Sequence, residues 1–144
     1  GSQSVLDVGT GTGVLALMAH ILKKKSSGRV LAIDNNPEAR RVARENLAIN
    51  KVSAVEVPDQ NIQDLSVQHQ EDAFDLVIAN IIDGVLLDLK SELLRVRKPH
   101  APLILSGILL EREQAFVEQF LMGTDLKIQR RLVKNEWVGL LLQE

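Results

Sequence analysis

The stretch Val5-Leu6-Asp7-Val8-Gly9-Thr10-Gly11-Thr12-Gly13 narrows most sharply what this chain can fold into. A short apolar run ends in three glycines spaced two apart, and an apolar pattern of helical period starts at once from Val14. Strand, tight turn and helix in that order open a parallel βαβ unit, because a parallel neighbour strand is reached only through a crossover. Glycine at such a turn admits backbone conformations closed to other residues and lets a ligand come close to the main chain.

The same alternation continues along the chain and implies an α/β fold. Ser4 to Val8 reads as a buried strand and Val14 to Lys24 as a helix with a core stripe of Leu15, Met18, Ala19 and Leu22, ended by Ser26-Ser27-Gly28. Arg29 to Asp34 is a second strand. Pro37 to Asn50 is a helix with proline in its first turn, Asn36 as its cap, and Ala39, Val42, Ala43 and Leu47 facing the core. Strands follow at Ser53 to Val57 and Phe74 to Ala79, the latter apolar throughout except for Asp75, as suits a central strand covered on both faces. A helix is expected from about Gly84 to Arg97, a strand from Leu103 to Ser106 or on to Leu109, and a helix from Glu111 to Met122. Leu126 to Val133 and Glu136 to Leu142, joined only by Lys134-Asn135, must be antiparallel. The expected architecture is a Rossmann-like three-layer sandwich with a mostly parallel seven-stranded sheet and a C-terminal antiparallel hairpin.

At 144 residues, 45% apolar and 25% charged, the chain suits one domain with a single core. A formal charge of −2 offers no overall field to gather nucleic acid or an anionic membrane. The absence of cysteine excludes disulfides and thiolate metal sites, and His20, His69 and His100 are too scattered in sequence to suggest a metal. No apolar run reaches the roughly 18 to 20 residues that span a bilayer. A reducing, cytoplasmic setting is compatible with this composition. Gly1-Ser2 resembles the scar of a cleaved tag, and strand signal starts almost at once, so residues 1–144 are expected to be a cofactor-binding domain excised from a longer protein.

Two acidic residues decide what the glycine loop holds. Dinucleotide enzymes use G-x-G-x-x-G, but here the position that needs the third glycine is Val14. Asp7, two residues before Gly9, would repel a pyrophosphate and favour a cationic ligand. S-adenosylmethionine, with a sulfonium, an ammonium and no phosphate, meets that requirement. Asp34 closes the second strand 21 residues after Gly13, at the sheet edge beside the loop, where its carboxylate can accept both hydroxyls of a ribose. Asn35 would then edge the adenine. Asp34 could instead cap the following helix, but Asn36 is better placed to do so.

Methyl transfer is an in-line displacement, so the protein mainly has to hold an unprotonated nucleophile about 3 Å from the methyl carbon. The end of the fourth strand reads Ala79-Asn80-Ile81-Ile82-Asp83. Asn80 and Ile81 are the candidate catalytic positions: the Asn80 amide oxygen, with a nearby backbone carbonyl, can accept hydrogen bonds from an amine. Asn80 as a simple turn former is the plain alternative. Adenine and release-factor glutamine methyltransferases carry N-P-P-Y or a close relative here. The lack of proline and aromatic, in a chain only 3% aromatic, argues against a planar target.

Val5 to Gly13 resembles motif I of class I methyltransferases, which implies that Asp7, Gly9, Gly11 and Gly13 contact the methionine moiety. In that class the loop after the third strand supplies a polar residue to the adenine amino group and an apolar one to the ring. In Pro58-Asp59-Gln60-Asn61-Ile62 these would be Asn61 and Ile62, with Asp59 the competitor. The segment A-N-I-x-x-G-x-L at Ala79, L-I-L-S-G-I-L at Leu103 to Leu109 and E-W-V at Glu136 to Val138 together resemble the PrmA family over essentially the whole chain. The resemblance implies methyl transfer to amino groups of a ribosomal protein, with an N-terminal substrate-binding domain and a G-T-G-x-H-x-T-T segment upstream of the first strand. Neither of these is in the sequence. A lysine acceptor must be neutral to react, which at pH 7 costs roughly 4–5 kcal/mol, and no base is evident. An RNA or small-molecule methyltransferase, and a non-catalytic cofactor-binding module, are the alternative readings.

Lys23-Lys24-Lys25 reads as a helix end favoured by the dipole, Arg130-Arg131 as strand surface, and Trp137 as core or edge packing. Ser106-Gly107 lacks a G-x-S-x-G context and is not a hydrolase nucleophile.

Overall fold

The structure, a computed structural model, describes residues 3–22 and 28–144. Its strands are β1 (Val5–Val8), β2 (Val30–Ile33), β3 (Val55–Glu56), β4 (Leu76–Asn80), β5 (Leu103–Leu109), β6 (Lys127–Lys134) and β7 (Trp137–Gln143). They form one sheet in the order β3-β2-β1-β4-β5-β7-β6. The first five run parallel, and β7 lies antiparallel between β5 and β6. The chain leaves β1 toward β2 and β3, then returns to β4 on the other side of β1. That reversal opens a crevice at the carboxyl ends of β1 and β4, the place where open α/β sheets hold ligands.

Alternation along the buried strands sorts side chains into two layers. Val5, Val30, Ala32 and Val55 face α1 (Val14–Leu22) and α2 (Pro37–Ile49), packing with Ala16 and Leu47. Leu6, Val8, Leu31, Ile33, Val77 and Leu103 face the other way, toward Leu86 of α3 (Asp83–Asp88), Leu93 of α4 (Lys90–Val96) and Phe116 and Phe120 of α5 (Glu113–Leu121). This is the three-layer sandwich the sequence implies.

Four details differ from the sequence reading. In α1 the buried residue is Ala16, and Met18 is 51% exposed. The helix rides over β1 and β2 on Ala16, with Leu17 and Ala19 packed against the same core, so of the expected stripe Ala19 faces the sheet while Met18 does not. Leu22's side chain, like Lys23-Lys24-Lys25 and Gly1-Ser2, lies outside the described residues. The expected 84–97 helix is two helices meeting at Leu89, and Lys90 at the junction donates to the carbonyls of Gln119 and Met122 at the end of α5. β3 is only two residues long, because Pro58 follows closely and has no N–H to extend the ladder. Glu111-Arg112 belongs to a 3-10 turn, Leu110–Arg112, ahead of α5.

The helix cap holds as expected: the Asn36 side chain accepts from the Glu38 N–H at 2.9 Å. Among the described residues, no helix is long and apolar enough to cross a membrane, and no cluster of three or more metal-ligating side chains occurs.

Candidate functional site

The three glycines of the loop all have positive φ, at +72°, +56° and +81° for Gly9, Gly11 and Gly13, which an L side chain resists. Beyond that they differ. A Cβ on Gly9 would sit 2.6 Å from Ile81 Cγ2, and one on Gly13 would sit 3.2 Å from the Ala43 Cβ, so Gly13 lets the loop pack on α2. A Cβ on Gly11 would meet nothing within 4 Å.

The loop's N–H groups are largely spent within the chain. Gly9 and Thr10 donate to the Ile33 carbonyl, Gly13 to the Thr10 carbonyl, and Gly11 to the Asp34 carboxylate at 3.0 Å. A pyrophosphate would find few free donors there, in keeping with the loss of the dinucleotide fingerprint at Val14.

Asp7 lies on the α1 side of β1 and is 1% exposed. Its Oδ2 accepts from the Thr10 hydroxyl at 2.7 Å, while Oδ1 is buried without a hydrogen-bond partner. Burial pushes its pKa up from an ordinary 3.8 to about 6; the Thr10 bond and the Ala16 N–H in the first turn of α1 offset only part of this. At neutral pH the carboxylate is therefore ionised, buried and short of a counter-charge.

This has a sign that can be tested. Between about pH 4 and 6 the unfolded chain loses the Asp7 proton while the folded chain keeps it. Asp7's own contribution to stability therefore falls as pH rises through that window, by up to about 3 kcal/mol, and is level above it, so it is read as the difference between wild type and an Asp7 variant. Asp7→Asn is expected to melt several degrees above the wild type at pH 7.5 and level with it at pH 4. Thermal melts at both values check this; a variant less stable at pH 7.5 contradicts it.

Asp34, just past β2, accepts from Gly11 through Oδ2 and from the Asn36 N–H through Oδ1 at 2.9 Å. Each carboxylate oxygen can accept a second bond. Beside it opens a cavity of about 300 Å³ at the crevice between β1 and β4, at the small end of the range for ligand pockets. Gly9, Asp34, Asn35, Asn61, Ile62 and Ile81 line it, six of the positions singled out from sequence. Ile62 is buried and supplies an apolar wall, whereas Asn61 is exposed at the rim.

Asp59, the competitor of Asn61, is drawn off elsewhere. It pairs with Arg44 at 2.7 Å and Arg40 at 3.3 Å, and the Arg44 guanidinium holds its carboxyl below the usual range. Gln63, Val85 and Leu89 also line the cavity. The last two continue from Ile81 at intervals of four along the chain into α3, a spacing visible in the sequence but also that of an ordinary core stripe.

Asn80, exposed at the end of β4, lies outside this cavity. It lines an adjoining one of about 420 Å³ with Ile81, Ile82, Ser106, Gly107 and Trp137. Ile81 is common to both, and its N–H donates to the Ser106 carbonyl at 3.1 Å. Trp137 is not core: it is 43% exposed at the start of β7 and is among the residues lining this second cavity. Asp7, Gly11 and Gly13 line neither.

Five parallel strands with an antiparallel β7, a glycine loop after β1 and an acidic residue closing β2 define a class I, Rossmann-like methyltransferase domain. A solved "SAM dependent methyltransferase" from Aquifex aeolicus shares the fold, with a TM-score of 0.69 at 22% identity, over 97% of this chain and 81% of that one. The chain belongs to the ribosomal protein L11 methyltransferase (PrmA) family, whose model matches residues 1–144. The ribosomal protein L11 methyltransferase of Myxococcus xanthus is 39% identical over 140 residues, 97% of this chain and 45% of that protein. The crystal structure of the ribosomal protein L11 methylase from Lactobacillus delbrueckii subsp. bulgaricus superposes with a TM-score of 0.87 at 30% identity, over 100% of this chain and 71% of that one. The chain thus spans less than half the length of that curated relative.

Proposed function

We propose that this chain is the S-adenosylmethionine-binding, methyl-transferring domain of an enzyme acting on amino groups of ribosomal protein L11. The observation that carries the reading is the convergence of Gly9, Asp34, Asn35, Asn61, Ile62 and Ile81 on one cavity, with Asn80 on the next.

The residues fit the cofactor. Asp34 offers two acceptor oxygens to the ribose hydroxyls, and Asn35 and Asn61 offer polar atoms to the adenine edge. Ile62 offers an apolar surface to its ring. Asp7 supplies a buried negative charge behind the loop, with one oxygen unpartnered, which a cationic ligand offsets. Gly11, though it lines neither cavity, donates its N–H to Asp34 and so holds the carboxylate that faces the ligand.

Bound S-adenosylmethionine supplies an electrophilic methyl group on a sulfonium. The protein's part is placement. Ile81 lines both the cofactor cavity and the cavity lined by Asn80, Ser106 and Trp137, so the two adjoin at this residue. An acceptor amine entering from the second cavity meets the Asn80 amide oxygen, which accepts its N–H bonds and directs the lone pair past Ile81 into the cofactor cavity. The Trp137 ring offers a flat apolar wall along the aliphatic stem of a lysine.

Methyl transfer to purified L11 and to ribosomal RNA, followed with labelled cofactor, tests this. Label in L11 alone supports the reading; label in RNA alone overturns the substrate assignment. Asn80→Ala is expected to lower kcat roughly hundredfold through loss of alignment, with the melting temperature unchanged. Undiminished transfer would remove Asn80 from the mechanism.

A further inference from the structure

The cofactor cavity is assembled from two chain segments that the sheet itself does not hold together. One is the end of β2, carrying Asp34; the other is the loop after β3, carrying Asn61 and Ile62. The ladder between these strands pairs only Val30 with Val55 and Leu31 with Glu56, and it stops short of both functional ends.

Helix α2 bridges the gap. Arg40 Nη1 donates to the Asp34 carbonyl at 2.8 Å, while its Nε lies 3.3 Å from Asp59 Oδ1. Arg44 reinforces the far side, donating to the Val57 carbonyl and to Asp59 Oδ1. Two residues further along α2, the Asn46 amide donates to the Thr12 carbonyl in the glycine loop at 2.8 Å. Of the two arginines Arg40 is the enclosed one. Its side chain is 13% exposed, against 47% for Arg44, although their common partner Asp59 is 74% exposed.

We infer that Arg40 is a positioning residue for the cofactor, setting the gap between Asp34 on the ribose side and Asn61-Ile62 on the adenine side. The inference rests on the reading that this cavity holds S-adenosylmethionine. The planar guanidinium suits the task because it faces two segments at once, donating from Nη1 to a carbonyl on one and holding, through the buried Nε, an ion pair rather than a hydrogen bond with a carboxylate on the other. A ligand that spans ribose and adenine depends on that gap, whereas the fold, secured by the strands and the core, does not.

Calorimetric titration with S-adenosylhomocysteine, alongside thermal melts, tests Arg40→Leu, Arg40→Lys, Asp59→Asn and the double variant Arg40→Leu/Asp59→Asn. Arg40→Leu is expected to weaken binding about tenfold, equivalent to ~1.4 kcal/mol, with a melting temperature close to the wild type. Arg40→Lys, which keeps the charge and one of the two directions, recovers part of the loss. Asp59→Asn weakens binding less than Arg40→Leu, and the double variant binds no worse than Arg40→Leu, because Arg40 acts through Asp59. Wild-type affinity in Arg40→Leu, whatever its melting temperature, overturns the inference, as do losses that multiply in the double variant. Absence of binding by the wild-type protein overturns the cofactor reading as well, so the two failures are distinct.

Discussion

Asp34→Ala is expected to weaken S-adenosylhomocysteine binding by roughly 10²–10³-fold. Two ribose hydroxyls donating to one carboxylate make two charge-assisted hydrogen bonds, each worth about 1.5–3 kcal/mol. The alanine variant also strips the Gly11 and Asn36 N–H groups of their acceptor, loosening the turn on which the ligand rests. Asp34→Asn keeps a single acceptor oxygen and should lose only about tenfold. Calorimetric titration of the three proteins gives the order wild type, asparagine, alanine. Equal affinities would mean that Asp34 serves only as a local backbone acceptor.

Gly107→Ala should have a large effect on stability. Gly107 sits in β5 with φ +88°, where the register of β5 against β7 shifts between Leu105 and Ile108. A Cβ there would lie 2.7 Å from the Ile81 carbonyl oxygen and 2.9 Å from its carbon. These are backbone atoms, tied through the Ile81 N–H to Ser106, and cannot rotate aside. Left-handed strain and overpacking together should cost about 3 kcal/mol, or roughly 10 °C in melting temperature. Gly11→Ala is the control: φ is again positive, but nothing lies within 4 Å, so about 1 kcal/mol is expected. Melts that lower both variants equally would show that the close approach of β5 to Ile81 costs nothing to crowd.

That close approach marks how far the sequence alone could be read. The glycines of the loop and Asp34 were legible because their chemistry depends on local order: a strand, a turn without side chains, a second strand closed by an acid. Period alone distinguished buried strands from helices, and the two-residue link at Lys134-Asn135 required an antiparallel pair. Gly107 carried no such signal, since what requires it is Ile81, brought alongside only when β5 pairs with β4.

The misassigned face of α1 has a similar origin. Met18 and Ala16 both fit a helical stripe, and the choice between them depended on how near the helix rides to the sheet. Asn61 and Asp59 could not be separated in sequence because what separates them is a pair of arginines on another helix, at positions 40 and 44. Trp137 reads as packing in the sequence for want of any local cue that β7 begins beside Asn80.

The central claim is that the cavity between β1 and β4 is the cofactor site, and a crystal structure with S-adenosylhomocysteine bound tests it most directly. The account predicts both ribose hydroxyls on the Asp34 carboxylate, the adenine against Ile62 with its edge at Asn35 and Asn61, and the sulfur next to Ile81, facing Asn80. Ligand density elsewhere on the chain, with the Asp34 carboxylate still bonded only to Gly11 and Asn36, would contradict it.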